Sequence, residues 1–405
     1  MKKLSLSTLF LLIWLGSLAG QSERDFTFYE DSTLSLYQQA RWDQLAPLAR
    51  EALQEGFDYY YLRMRLGIAY FETKRPQRAI PQFYRALRHN TDDPVAGEYL
   101  YYSLLYAGRA DEARLFADAF SVKEGRQPHS GTLDLFANAT YKWSDGRTEV
   151  GNLEDYSLGI RHSLGRRLTF SHTYECLRQH FVETIVTEEP PGNGNGPPVV
   201  ATEERPYHFD QQFYRLNAQL QLKRGWQAGF TFNYAWVQSE DHDFEEQYYF
   251  GYLSKQLPAL QLKAGLGHSN FHDTYQRQLG FDLTYYPLYN TDLYVHGSCI
   301  LKEETGSGEL QHLTTFLLGG RIAPNTWLEG RADIGRINYF QEALGTVVYN
   351  IPDELKGRAG LTLAHWIKGR HPVFLSLQLE EKERWATLET YRHYSLTIGS
   401  LINLR

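Results

Sequence analysis

Tyr214-Arg215-Leu216-Asn217-Ala218-Gln219-Leu220-Gln221-Leu222-Lys223, the pair Arg224-Gly225, and Trp226-Gln227-Ala228-Gly229-Phe230-Thr231-Phe232-Asn233-Tyr234-Ala235-Trp236 form the stretch that decides the fold. Tyr214, Leu216, Ala218, Leu220 and Leu222 alternate with Arg215, Asn217, Gln219, Gln221 and Lys223. After the tight turn, Trp226, Ala228, Phe230, Phe232, Tyr234 and Trp236 alternate with Gln227, Gly229, Thr231 and Asn233. An alternation of period two puts one set on each face of a strand. One face is apolar and ends in aromatics; the other carries amides and charge. Such strands suit lipid on one side and a polar lumen on the other.

The same pattern extends outward in both directions. Fourteen segments read as strands: 131–143, 154–164, 166–182, 207–222, 226–238, 244–255, 259–270, 275–286, 291–302, 309–321, 326–339, 354–366, 372–381 and 391–402. The expected count is about fourteen, within a range of twelve to sixteen. Connectors after even-numbered strands are short, such as Gly165, Arg224-Gly225 and Pro324-Asn325. Those after odd-numbered strands are longer and polar, including 183–206, 340–353 and 382–390. Short turns on one rim and long loops on the other are the outer-membrane arrangement. This predicts an antiparallel transmembrane β-barrel over 131–405, with long loops outward and both termini in the periplasm.

The chain of 405 residues opens Met1-Lys2-Lys3, runs apolar from Leu4 to Leu15 and reaches Ser17-Leu18-Ala19-Gly20. A basic start, a short apolar run and small residues predict a signal peptide over 1–20. Further on, no run approaches the roughly 20 apolar residues a membrane helix needs. A membrane-spanning chain of this kind must therefore cross as a closed barrel. Aromatics reach 15%, with 29 Tyr, which suits interfacial girdles. The net charge of −7 is mild and spread along the chain, so no nucleic-acid partner is expected. Cys176 and Cys299 fall in register with the apolar faces of strands far apart, so no disulfide is expected.

Residues 26–127 carry a period of 34. Leu66, Gly67, Tyr70, Ala79, Phe83 and Ala86 form one unit closed by Pro94, and Leu45, Ala49, Ala52, Leu104 and Ala113 fall at matching places in its neighbours. This spacing resembles the tetratricopeptide (TPR) repeat, with three units. The resemblance implies a helical solenoid with a protein- or peptide-binding surface, placed in the periplasm by the barrel's orientation. A structural spacer is the alternative.

Catalytic chemistry is not legible in this chain. His268 and His272 have a ligand-like spacing but lie where a strand runs into a loop, with no third ligand placed. Asp241, Asp243, Glu245 and Glu246 read as a solvated acidic loop. No G-x-S-x-G element occurs. The chain is therefore read as a non-enzyme, without cofactor or metal. Arg161, Arg215, Lys263, Asp282, Arg331, Asp333 and Arg358 fall opposite the apolar face and are the candidate lumen-lining residues, with Lys356, Glu329 and Glu380 beside them. Mixed charge inside a barrel either pairs to close the interior or lines a conduit.

Repeats followed by a barrel resemble the exopolysaccharide-export proteins of the outer membrane and the smaller YaiO-type barrel proteins. That resemblance implies a channel or export component for a solute or glycan, with outer-membrane lipid around it and a periplasmic partner on the repeats. The alternatives are a non-conducting outer-membrane anchor and, behind it, a membrane hydrolase or acyltransferase.

Overall fold

The computed structural model describes residues 24–116, 133–145, 149–189, 199–238, 243–271, 274–306 and 308–404. The expected signal peptide, His272 and the centre of the longest loop lie outside these residues. The chain divides into two compact units between Ser103 and Leu104.

Helices α1 (Phe26–Gln38), α2 (Trp42–Gln54), α3 (Tyr60–Glu72), α4 (Pro76–His89), α5 (Pro94–Tyr106) and α6 (Ala110–Ala113) are followed by a 3₁₀ turn at Arg114–Phe116. The 34-residue period reappears in backbone geometry. Ala40, Lys74 and Gly108 all take positive φ, at 53°, 57° and 74°. The next N–H reaches back five residues in each case: Arg41 to the Leu36 carbonyl at 2.9 Å, Arg75 to Tyr70 and Arg109 to Leu104 at 2.8 Å. That is a helix end closed by a left-handed residue, repeated three times. Between the helices, Leu66, Gly67, Tyr70, Ala79, Phe83, Ala86 and Ala113 are all buried. Gly67 lies against the Phe83 ring so closely that a Cβ would come within 2.6 Å of it.

The barrel strands are β1 (Leu133–Ser144), β2 (Val150–Leu164), β3 (Leu168–Glu189), β4 (Val199–Gln221), β5 (Trp226–Gln238), β6 (Asp243–Gln256), β7 (Leu260–Phe271), β8 (Thr274–Tyr285), β9 (Leu293–Glu304), β10 (Leu310–Ala323) and β11 (Thr326–Ile337). Two short strands, β12 (Phe340–Glu342) and β13 (Val347–Tyr349), intervene before β14 (Glu354–Ile367), β15 (His371–Glu383) and β16 (Thr390–Asn403). Fourteen of these close an antiparallel ring, β1 to β11 and then β14 to β16, while β12 and β13 form a separate two-stranded sheet. The ring closes where β16 pairs with β1, from Asp134 opposite Asn403 to Ser144 opposite His393. Lys223, Arg224 and Gly225 make the turn between β4 and β5, closed by the Leu222 N–H donating to the Trp226 carbonyl at 2.9 Å, with Arg224 and Gly225 at φ 59° and 77°.

All fourteen expected strands are present, with two changes of extent: β2 begins at Val150 rather than at 154, and β3 and β4 are longer. Residues 183–189 and 199–206, expected in a loop, continue β3 and β4 as a paired ribbon.

Burial is inverted relative to a water-soluble sheet. Leu158 is 63% exposed and Leu266 66%, whereas Lys382 is 0% and Glu380 1% exposed. Apolar side chains face out and polar ones are enclosed, which suits a hydrocarbon solvent. On the inner wall, rings face glycines across strands: Phe136 opposite Gly159, Tyr252 opposite Gly229, Tyr294 opposite Gly319 and Phe374 opposite Gly399. A Cβ at Gly159 or Gly319 would come within 2.2 Å of the facing ring, so glycine lets these aromatics lie flat on the wall.

Candidate functional site

The hairpin β12–β13 leaves the wall between β11 and β14 and folds into the lumen. Its tip hydrogen-bonds to β5, where the Thr231 hydroxyl donates to the Leu344 carbonyl at 3.2 Å and the Asn233 amide to Gly345 at 2.9 Å. Round the ring, β5 lies six strands from β11 one way and seven from β14 the other. The hairpin therefore crosses the full width of the barrel. Ala343, Leu344 and Gly345 turn at positive φ of 49°, 57° and 87°. A Cβ on Gly345 would come 2.5 Å from Phe250, so the tip fits against β6 only with glycine there.

Most of the crossing is held by side chains that capture backbone. Gln278 and the Gln341 backbone hydrogen-bond in both directions, with the Gln341 N–H donating at 2.9 Å. Lys302 Nζ reaches the Asn338 carbonyl at 2.7 Å, and the Gln211 amide reaches that of Asn350 at 2.9 Å. Two apolar clusters flank these bonds. Val348 packs with Phe213 and Tyr248, and Phe340 and Tyr349 pack with Ile300 and Ile337.

Next to the turn of the hairpin, Glu342 accepts from both Arg331 and Arg358, the latter at 2.8 Å. Both guanidiniums also hold Asp333, Arg331 at 2.9 Å. Glu380 extends the cluster, 3.1 Å from Lys142, 3.0 Å from Lys382 and 3.9 Å from Arg358. Buried charges of this kind persist only when paired and hydrogen-bonded.

The structure thus brings Arg331, Asp333 and Arg358 together at the hairpin. Lys263 and Asp282 are cross-strand partners elsewhere on the wall. Arg161 pairs with Asp134 at 2.7 Å, and Arg215 with Glu175 at 3.1 Å and Asn233 at 2.6 Å. Lys356 does not join them. The register shifts between Leu355 and Gly357, so this bulge residue pairs with Glu383 at 2.7 Å, beside exposed Arg336. A bulge breaks the alternation that placed Lys356 with Arg358. Glu342 and Gln341 were missed by the sequence reading because a three-residue strand shows no period, and Gln278 because nothing in β8 marks one inward amide as the partner of a remote hairpin.

The short-turn rim carries a second set of contacts. The Gly225 N–H donates to Glu112 at 3.0 Å, and Arg114 donates to Thr169 at 2.8 Å and to Ser163. Asp111 holds Arg114 at 2.9 Å, and Arg109 holds Glu112. Lys223 sits 5.9 Å from the Phe116 ring centre. Residues 109–116 are thereby fastened to the turns after β2 and β4.

In the helical unit, Arg65 grips Glu30 at 2.7 Å and Thr33 at 2.9 Å, while Arg63 grips Asp58 at 2.6 Å and Gln82 at 2.7 Å. These bonds hold the Glu30 and Asp58 carboxyls below the usual carboxylate range. Cys176 and Cys299 are both free.

These features define a closed, apolar-jacketed β-barrel whose lumen is crossed by its own loop, preceded by a TPR-like helical module. No protein-family model matches this sequence, and no curated protein does. Among solved structures, a bacterial polysaccharide outer membrane secretin is similar at 8% identity and TM-score 0.39, over 68% of this chain and 99% of that one. The Pseudomonas putida toluene transporter TodX is similar at 9% identity and TM-score 0.43, over 68% and 89%. MamA of AMB-1 is similar at 23% identity and TM-score 0.24, over 26% of this chain. This chain spans 52 to 73% of the length of the MamA chains it matches, and little more than half of most of them. All of these likenesses are remote.

Proposed function

We propose that this chain is an outer-membrane channel or export component that passes a solute or glycan through a gated lumen. Its helical module serves in the periplasm to dock a protein or peptide, and residues 1–20 act as the export signal. The observation that carries this reading is the hairpin 340–349, which crosses the barrel and is anchored by a buried charge cluster. A wall built to be filled permanently needs only apolar packing. Here amide-to-backbone bonds and ion pairs share the load, and water can replace those bonds if the hairpin swings out.

The extent of pairing around Glu342 favours a second reading, a permanently closed anchor. Conductance in planar bilayers separates the two. The native chain is expected to open rarely. A variant with 340–349 replaced by a short Gly-Ser link, alone or with Glu112→Ala and Arg114→Ala, is expected to conduct persistently. If both variants insert and stay silent, transport is wrong and the anchor reading stands.

A further inference from the structure

On the long-loop side of the hairpin lies a cavity of about 750 Å³. Its walls are aromatic: Phe181, Tyr207, Phe209 and Tyr339 line it, and Trp385 stands at its edge. Phe181 and Tyr207 are stacked, with centroids 5.1 Å apart. Its floor holds two amides, Gln211 and Asn350, each 3% exposed.

The orientation of both amides is fixed by what they donate to. Gln211 gives its N–H to the Asn350 carbonyl at 2.9 Å, and Asn350 gives its own to the Glu246 carboxylate at 2.6 Å. Turning either amide over would set oxygen against oxygen. The remaining oxygens, Gln211 Oε1 and Asn350 Oδ1, are buried and receive no donor among the described residues. An acceptor left so costs on the order of 1–3 kcal/mol until something donates to it.

The charges in the lining are biased in one direction. Glu149, Glu183 and Asp353 face Arg205 and Arg384. Glu149 is paired with Arg384 at 2.8 Å, and Glu183 lies directly opposite Arg205 in the β3–β4 ladder. Asp353 accepts from the Tyr391 hydroxyl at 2.5 Å and the Trp385 N–H at 3.3 Å, both neutral groups. No cation lies within ion-pair distance of it among the described residues. Acceptors without donors, an acidic bias and ring faces together favour a ligand that donates hydrogen bonds and carries positive charge.

We infer that this vestibule is a binding site for a small organic cation, an ammonium attached to an apolar or aromatic body. The ammonium sits within the field of Asp353 beside the Gln211 and Asn350 amides, and the body lies among the rings. The site does not depend on transport, since a barrel that never conducts still holds it.

Titration calorimetry on the full chain in uncharged detergent tests this, with benzylammonium, benzyl alcohol and benzoate as probes. Benzylammonium is expected to bind about tenfold tighter than benzyl alcohol, and benzoate not at all. Added salt should weaken the ammonium complex. Gln211→Leu, Asp353→Asn and Trp385→Ala should each weaken it several-fold while the unboiled protein keeps its compact gel migration. Equal affinity for the alcohol, preference for benzoate, no binding of any probe, or indifference to all three substitutions in folded protein would each overturn the assignment. Binding without conductance in the bilayer experiment would leave the site standing and remove only the transport reading.

Discussion

At Gly67 a missing side chain decides how two helices pack. The Phe83 ring occupies the place where a Cβ would sit, at 2.6 Å, and both residues are buried. Gly67→Ala forces the ring or the helix to move and is expected to lower stability by about 1–3 kcal/mol, as overpacking does. The check is the loss of helical circular dichroism on heating, at a lower temperature than in the native chain. This glycine was legible beforehand because its neighbours Leu66, Tyr70, Ala79 and Phe83 recur at the right spacing. Lys356 was not, since its sequence parity matches Arg358 and only the bulge between Leu355 and Gly357 separates them. Parity is a local rule, and it fails wherever one extra residue enters a ladder.

The hairpin 340–349 is the element on which the proposed gating turns, and Arg358 joins it to the wall. It holds Glu342 of the hairpin and Asp333 of the wall, and it lies 3.9 Å from Glu380. Arg358→Ala leaves buried carboxylates short of a partner, a change that typically costs about 3–5 kcal/mol. Amide hydrogen exchange over 340–349 is expected to accelerate in this variant, while the paired amides between β2 and β3 stay protected. Equal acceleration in the distant strands would mean that the arginine supports the whole barrel rather than the hairpin. Long strands such as β5 announce themselves because many alternating residues average out exceptions. Phe340–Glu342 and Val347–Tyr349 have three residues each, and nothing local tells them to turn inward. Their position comes from Gln278, Thr231 and Asn233, more than 60 residues away. The extra reach of β3 and β4 also escaped notice, because its exposed polar residues resemble a loop and only their mutual pairing makes them strand.

Across the whole molecule, the apolar jacket carries the membrane reading. Leu266 lies on the outer face of β7 and is 66% exposed. Arginine at such a site in water changes little, whereas at the lipid midplane it costs about 2–4 kcal/mol. Leu266→Arg is therefore expected to lose stability by that amount in denaturant titrations from lipid vesicles; a neutral result would show that this face does not meet hydrocarbon. The sequence by itself determined that the chain forms a barrel of about fourteen strands with repeated helices before it, and ring closure fixed the number. Alternation of period two and recurrence at 34 residues are properties of neighbours along the chain, imposed by solvent on each face. Only the tertiary structure decided what fills the lumen. A hairpin crossing to the opposite wall, a carboxylate shared by two arginines and an aromatic vestibule with two orphaned amide oxygens all join residues remote in sequence. Ring closure brings them together, and no local pattern records that meeting.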